Sequence, residues 1–233
     1  MNITEVSTPY KYSASDRRVK PVSLVVLHYT AAPYYHKHPS GSNSGRIRNW
    51  LAGVGRQSST HFVVLRDGAI MQAAGMDERT WHSGGSKFKP PQGKSIEGIN
   101  FKSIGVDFDN VGMLYKVDGG FVNSYERHAM RKHKRKAKRF YRGPEPYAHE
   151  TSAGVSYWEP YSPESIDSMK LILWKILEAH PKLVGDPWRI VGHSDIKSTK
   201  SDPGPACPTE DLRSVFLPDF DPSSLNIPDI LYY

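Results

Sequence analysis

The chain has 233 residues, 38% hydrophobic and 24% charged, which is room for one large domain with a packed core. No apolar run is long enough to span a bilayer, and the single cysteine, Cys207, excludes an intrachain disulfide. The formal charge of +7 favours acidic partners such as nucleic acid, an anionic membrane face or an anionic cell-wall polymer.

Residues 1–16 are polar and aromatic without a clear period and are expected to form an arm lying on the domain. The chain opens without a basic stretch followed by an apolar one, so no signal peptide is expected and synthesis in the cytoplasm follows. Residues 22–27 (VSLVVL) form a β-branched run that reads as a buried central strand, ended by His28, Tyr29 and Thr30. Polar functional groups project from such strand ends in open α/β sheets. Residues 31–45 are rich in Pro, Ser, Gly and Tyr and read as a rim loop, in which His36 and His38 are exposed histidines or, alternatively, metal ligands.

Residues 44–54 place Ile47, Trp50, Leu51 and Val54 on one helical face behind Ser44 as N-cap. Two strand-like runs around Asp67-Gly68 predict a hairpin, with His61 at its start. His61 either packs or hydrogen-bonds there. Trp81 and His82 open a second aromatic loop, and 87–100 reads as a polar loop. Residues 103–108 (SIGVDF) alternate and predict a strand carrying Asp107.

From about 111 to 161 the periodicity is lost, so an irregular insertion or mobile segment is expected there. It contains the basic stretch 127–142, which is either a solvated charge run or a patch for an anionic wall polymer or membrane surface. Nucleic acid ranks behind these partners, because no recognised nucleic-acid motif accompanies the stretch. Ser162, Pro163 and Glu164 then suit the cap and first turn of a helix whose stripe is Ile166, Met169, Leu173, Ile176 and Leu177, ended by His180-Pro181. A short strand delivers His193, and Asp202-Pro203-Gly204-Pro205 closes the loop after it. Thr209 suits the cap of a last helix through Phe216, and 218–233 is a tail. The expected organisation is a single α/β domain over 17–217, acting as a monomer, with a mixed central β-sheet flanked by helices.

His28, His193 and Asp202 together make a candidate His-His-carboxylate set, leaving a fourth position for water. Zinc suits such ligands in a hydrolase without redox chemistry. Spacing alone does not single these residues out among ten histidines.

Five ordered stretches add to this reading: 24–31 (LVVLHYTA), 59–70 (STHFVVLRDGAI), 81–84 (WHSG), 99–107 (INFKSIGVD), and 191–196 (VGHSDI) with 200–204 (KSDPG). Together they resemble the zinc-dependent N-acetylmuramoyl-L-alanine amidases, a family that includes phage endolysins, the cell-wall recycling amidase and the animal peptidoglycan recognition proteins. The resemblance implies that fold, zinc ligands at His28, His193 and Asp202, and Lys200 beside the metal to stabilise an oxyanion. It also implies Asp107 as general base, where the family's usual residue is a glutamate, one methylene longer. Tyr29, His61, Trp81 and His82 are expected to contact substrate or to support the ligands. Asp195 is expected to tie down its loop. Relatives sometimes use a cysteine as third ligand, but the KSDPG match favours Asp202 over Cys207. The implied activity is hydrolysis of the amide between N-acetylmuramic acid and L-alanine in peptidoglycan. An endolysin reaching the wall after release is the first expectation; a cytosolic muropeptide-recycling amidase or a non-catalytic peptidoglycan-binding module are the alternatives.

Overall fold

The computed structural model describes residues 3–12, 21–55 and 57–225. In chain order the strands are β1 (Ile3–Glu5), β2 (Lys11–Tyr12), β3 (Leu24–Tyr29), β4 (Phe62–Val64), β5 (Ile70–Gln72), β6 (Arg79–Thr80), β7 (Lys87–Phe88), β8 (Ile96–Glu97), β9 (Ser103–Phe108), β10 (Met113–Val117), β11 (Gly120–Asn123), β12 (Tyr147–Thr151), β13 (Gly154–Trp158) and β14 (Ile190–Gly192). The α-helices are α1 (Ser44–Leu51), α2 (Ile99–Lys102), α3 (Ser124–Lys132), α4 (Pro163–Ala179), α5 (His193–Ile196) and α6 (Thr209–Arg213).

The main sheet has six strands in the order β1-β5-β4-β9-β3-β14. It is mixed, as expected: β4 and β5 pair antiparallel, and the other neighbours pair parallel. Strand alternation sorts its side chains into two faces. Val25, Leu27, Ile104, Val106, Phe62 and Ile190 meet Met169, Ile172, Leu173 and Ile176 of α4 in one core. Those four helix residues are fully buried, each worth about 1.5–3 kcal/mol relative to exposure. Helix α4 starts as expected, with the Ser162 hydroxyl accepting from Ser165 N–H and Pro163 in the first turn, and it ends before His180. On the opposite face, Leu24, Val26 and Val191 pack with Phe88, Ile99 and Ile196, while α1 covers Val63, Leu65 and Met71 through Ile47 and Leu51. This second face carries the functional groups.

Several expectations change. Part of the arm is an edge strand: Ile3–Glu5 pairs in parallel with β5, satisfying backbone groups that the sheet edge would otherwise leave open. The arm lies on the domain as far as it is described, with Lys11–Tyr12 pairing antiparallel to β6; residues 13–16 and the expected domain start at 17 fall outside the described residues. Ser44 is the first residue of α1, not its cap; Asn43 holds the N-cap position, and its amide donates to Pro33 O instead. The expected polar loop 87–100 contains the ribbon of β7 and β8 and the start of α2. The tail is described only to 225, where Pro222–Ser224 makes a helical turn.

The largest change concerns 111–161, which is ordered rather than irregular. It folds as an antiparallel sheet of four strands, β11-β10-β13-β12, with α3 capped by Asn123. Strand β12 and the first residues of β13 are exposed, so there they met little apolar demand and offered no alternation to read.

Candidate active site

His28 and Asp107 are register partners on the adjacent parallel strands β3 and β9, so both side chains leave the sheet on the face opposite α4. One strand further on, β14 carries Val191 to that same face, and the chain turns at Gly192 to present His193 beside His28. The two imidazole centroids are 4.6 Å apart. Gly192 is required by packing: a Cβ there would lie 2.6 Å from Pro203 Cδ. The returning loop is fastened by Ser194 N–H donating to Asp202 O at 3.0 Å. Asp195 does what was expected of it, accepting from Gly192 N–H at 2.7 Å.

This brings Asp202 over both histidines. Its Oδ2 lies 2.8 Å from His28 Nδ1 and 3.0 Å from His193 Nδ1. One ligand atom from each of the three residues falls within 4.8 Å of the others, and all three residues are buried. Two imidazole nitrogens and a carboxylate oxygen converging away from solvent are a donor set suited to a divalent cation of borderline hardness. His193 Nε2 is also buried, with no hydrogen-bond partner among the described residues.

His28 is oriented from behind. Ser103 Oγ donates to Ile99 O at 2.6 Å, so towards His82 Nε2, at 3.0 Å, it serves as acceptor. A neutral His82 then accepts at Nδ1 from His28 Nε2–H, at 3.0 Å. That chain leaves the His28 Nδ1 lone pair facing the ligand cluster, the arrangement in which a second partner selects a ligand's tautomer. His82 fits because β9 has glycine at 105, where a Cβ would lie 2.6 Å from His82 Cγ.

Charge follows geometry. Burial works against an ionised Asp202, yet His193 and His28, when each carries a proton on the Nδ1 facing it, hold its carboxyl far below the usual range. Burial opposes a charged His28, but Asp107 and Asp202 outweigh it and raise its pKa; for His193 burial prevails and the pKa falls. Burial pushes the Asp107 carboxyl up to about 6, against the His28 charge.

The cleft over these groups has a volume of about 710 Å³ and is lined by His28, Tyr29, His82, Asp107, His193, Lys200 and Asp202, with Arg46, Trp50 and Tyr125 along its wall. Tyr29 shares a 2.9 Å hydrogen bond with Ser201. Lys200 is exposed and enters no ion pair among those of the described residues.

Two of the expected residues stand outside the cleft lining. His61 is fully buried behind it, accepting from Gly105 N–H at 3.0 Å and bonded to Thr80 Oγ1 and Glu78 O. Trp81 packs against Tyr10 and Tyr12 of the N-terminal segment. His36 and His38 lie in the loop before α1 and take no part in the cluster, and Cys207 is buried in the α4 core.

Sequence reading missed the Arg66 network. Arg66, next to the Asp67-Gly68 turn, is buried, donating to both carboxylate oxygens of Glu159 at 2.9 Å and also to Asp109. It ties the hairpin, the end of β9 and the end of the insertion together. The carboxylates stand 43 and 93 residues away in sequence, so no local pattern announces them.

A family profile described as N-acetylmuramoyl-L-alanine amidase matches residues 18–205. The 1,6-anhydro-N-acetylmuramyl-L-alanine amidase AmpD of Haemophilus influenzae is 24% identical over 200 residues, covering 81% of this chain and 80% of that protein. A crystal structure of AmpD superposes with a TM-score of 0.53 at 19% identity, covering 91% of this chain and 93% of the other. AmpDh3 from Pseudomonas aeruginosa, solved in complex with anhydromuramic pentapeptide, gives 0.53 at 22% identity, covering 91% of this chain and 63% of that one. At these identities the structural likeness is one of fold.

Proposed function

The chain belongs to the N-acetylmuramoyl-L-alanine amidase family, and from that premise we propose that it is a zinc hydrolase cleaving the amide between the muramic lactyl group and L-alanine in wall peptidoglycan. The observation that carries the reading is the convergence of His28, His193 and Asp202 in a cleft also lined by Asp107 and Lys200. His28 and His193 would hold the ion through imidazole nitrogens and Asp202 through a carboxylate oxygen. When bound, zinc polarises a carbonyl and makes a water acidic near neutral pH.

The chain's own residues do the rest. His82 and Ser103 keep His28 turned so that its Nδ1 faces Asp202, where it would serve as a ligand. Asp107 takes a proton at its carboxylate from the water that adds to the amide carbon, and returns it to the L-alanine nitrogen as the C–N bond breaks. The Lys200 ammonium donates to the oxygen of the tetrahedral adduct, where negative charge develops. Burial suits Asp107 to this exchange, since a carboxyl near 6 both gains and loses a proton readily at neutral pH.

The test is amide cleavage of purified peptidoglycan, scored by newly released L-alanine amino groups and paired with metal analysis. Parent protein with one zinc per chain and activity, and His193→Ala with neither, is the expected result. Full activity in His193→Ala sinks the zinc reading. Asp107→Asn should retain zinc and lose turnover; unchanged turnover moves the base elsewhere.

A second reading is recycling of free muropeptides in the cytoplasm. It is favoured by the match to a 1,6-anhydro-N-acetylmuramyl-L-alanine amidase over most of both chains. Rates on polymeric peptidoglycan and on a single 1,6-anhydromuropeptide separate the two. Action on the wall also requires release of the protein from the cytoplasm, which we propose for the first reading only.

A further inference from the structure

Helix α3 carries a cationic stripe. Ser124, Arg127, His128, Arg131 and Lys132 recur at spacings of three and four residues, so they share one helix face. With Tyr115 of β10 they line a groove of about 540 Å³. The Arg127 guanidinium lies over the Tyr115 ring, 4.0 Å from its centroid, which fixes it at the groove wall. Arg127, His128, Arg131 and Lys132 are exposed. No ion pair found among the described residues uses any of the four; the acidic residue of the same helix, Glu126, is buried and committed to Arg135.

The stripe begins beside the cleft: Ser124 lines the groove and its chain neighbour Tyr125 lines the cleft. Tyr125 of α3 lines the catalytic cleft, and Arg46, also on that wall, has its guanidinium 5.8 Å from the Tyr125 ring centroid. From Tyr125 to Lys132 a helix advances about 10 Å. A molecule filling the cleft and longer than one repeat would therefore run onto exposed cations.

We propose that the α3 stripe binds carboxylates of neighbouring stem peptides on the peptidoglycan strand whose scissile amide occupies the cleft. The substrate class is then polymeric wall material, not a single muropeptide. The proposal rests on the amidase reading and deepens it: the insertion serves as an extended substrate contact outside the reacting site. The chemistry is matched by sign and by the stripe's start next to the cleft at Ser124 and Tyr125, and exposed pairs of this kind weaken with salt.

The full chain is compared with a triple variant, Arg127→Gln, Arg131→Gln and Lys132→Gln. All three positions are exposed, so folding should survive, and matching melting curves check this. Two readouts are taken: pelleting with purified peptidoglycan freed of nucleic acid and phosphate polymers, and kcat/KM on that polymer against a single muropeptide. The expected result is a loss of about tenfold in pelleting affinity and in polymer kcat/KM, with single-muropeptide turnover unchanged. The parent's pelleting should also fall with salt more steeply than the variant's. Equal pelleting by parent and variant overturns the proposal, as does an equal loss on both substrates. Parent protein that pellets only when nucleic acid or phosphate polymer is left in the preparation overturns it too. If the parent cleaves no muramoyl amide, the amidase reading falls, while the pelleting comparison still tests the surface.

Discussion

His82 lies in the space over Gly105 that a side chain there would fill: a Cβ on Gly105 would stand 2.6 Å from His82 Cγ. Through that vacancy His82 reaches His28 Nε2 on one side and Ser103 Oγ on the other. Gly105→Ala should therefore act as a substitution of the metal site, although it touches no ligand. Gly105→Ala and His82→Phe are each expected to weaken zinc binding about 10–100-fold, measured by competition with a chelator of known affinity. Unchanged affinity in His82→Phe would show that His28 needs no orienting partner.

Asp202 and Cys207 are close in sequence but not in role. The Asp202 carboxylate bridges both histidines, whereas the Cys207 thiol is buried in the α4 core with its pKa pushed up to about 12 by burial. Asp202→Ala should lose bound zinc on dialysis. Cys207→Ser should keep full zinc occupancy, with only a loss of stability from placing a hydroxyl in the core. Metal content by atomic absorption distinguishes them, and zinc loss in Cys207→Ser would reverse the assignment.

Removing Arg66 leaves Asp109 and Glu159 buried without their cation. Arg66→Met is predicted to destabilise the fold by about 3–5 kcal/mol, read from denaturant unfolding. The loss should shrink when Asp109 and Glu159 are replaced at the same time by apolar residues of similar size, because the penalty lies in the unpaired charges. A single variant as stable as the parent would mean that the network contributes nothing net.

Glu126 links α3 to the residues that follow it, accepting from the Arg135 guanidinium and from Lys138 N–H at 2.7 Å. These bonds lower its carboxyl from 4.5 to about 2. A carboxyl lowered by folding adds stability that is fully present above 4.5 and is lost as pH falls towards about 2. Glu126→Gln should therefore melt below the parent at pH 7, and the gap should close between pH 4.5 and 2. A gap independent of pH would mean that the carboxylate charge is not what the helix uses.

Much of the active site is legible in the chain because its groups sit at the ends of strongly patterned strands. The run LVVLHY, the alternation in SIGVDF and the turn at DPG each state their local structure, and the family resemblance supplies the roles expected of His28, His193, Asp202, Asp107 and Lys200. Period-two alternation is a local property, so the central strands and α4 could be read without knowing their neighbours. The insertion could not: its strands are short and the exposed β12 and start of β13 carry no apolar period, and a basic run looks the same whether solvated or built into a helix beside a sheet. Only the tertiary structure decided that His82 orients His28, that Gly105 makes room for it, and that Arg66 is a buried cation. Each of those facts is a contact between residues far apart in sequence, and packing, not propensity, determines which distant side chains meet.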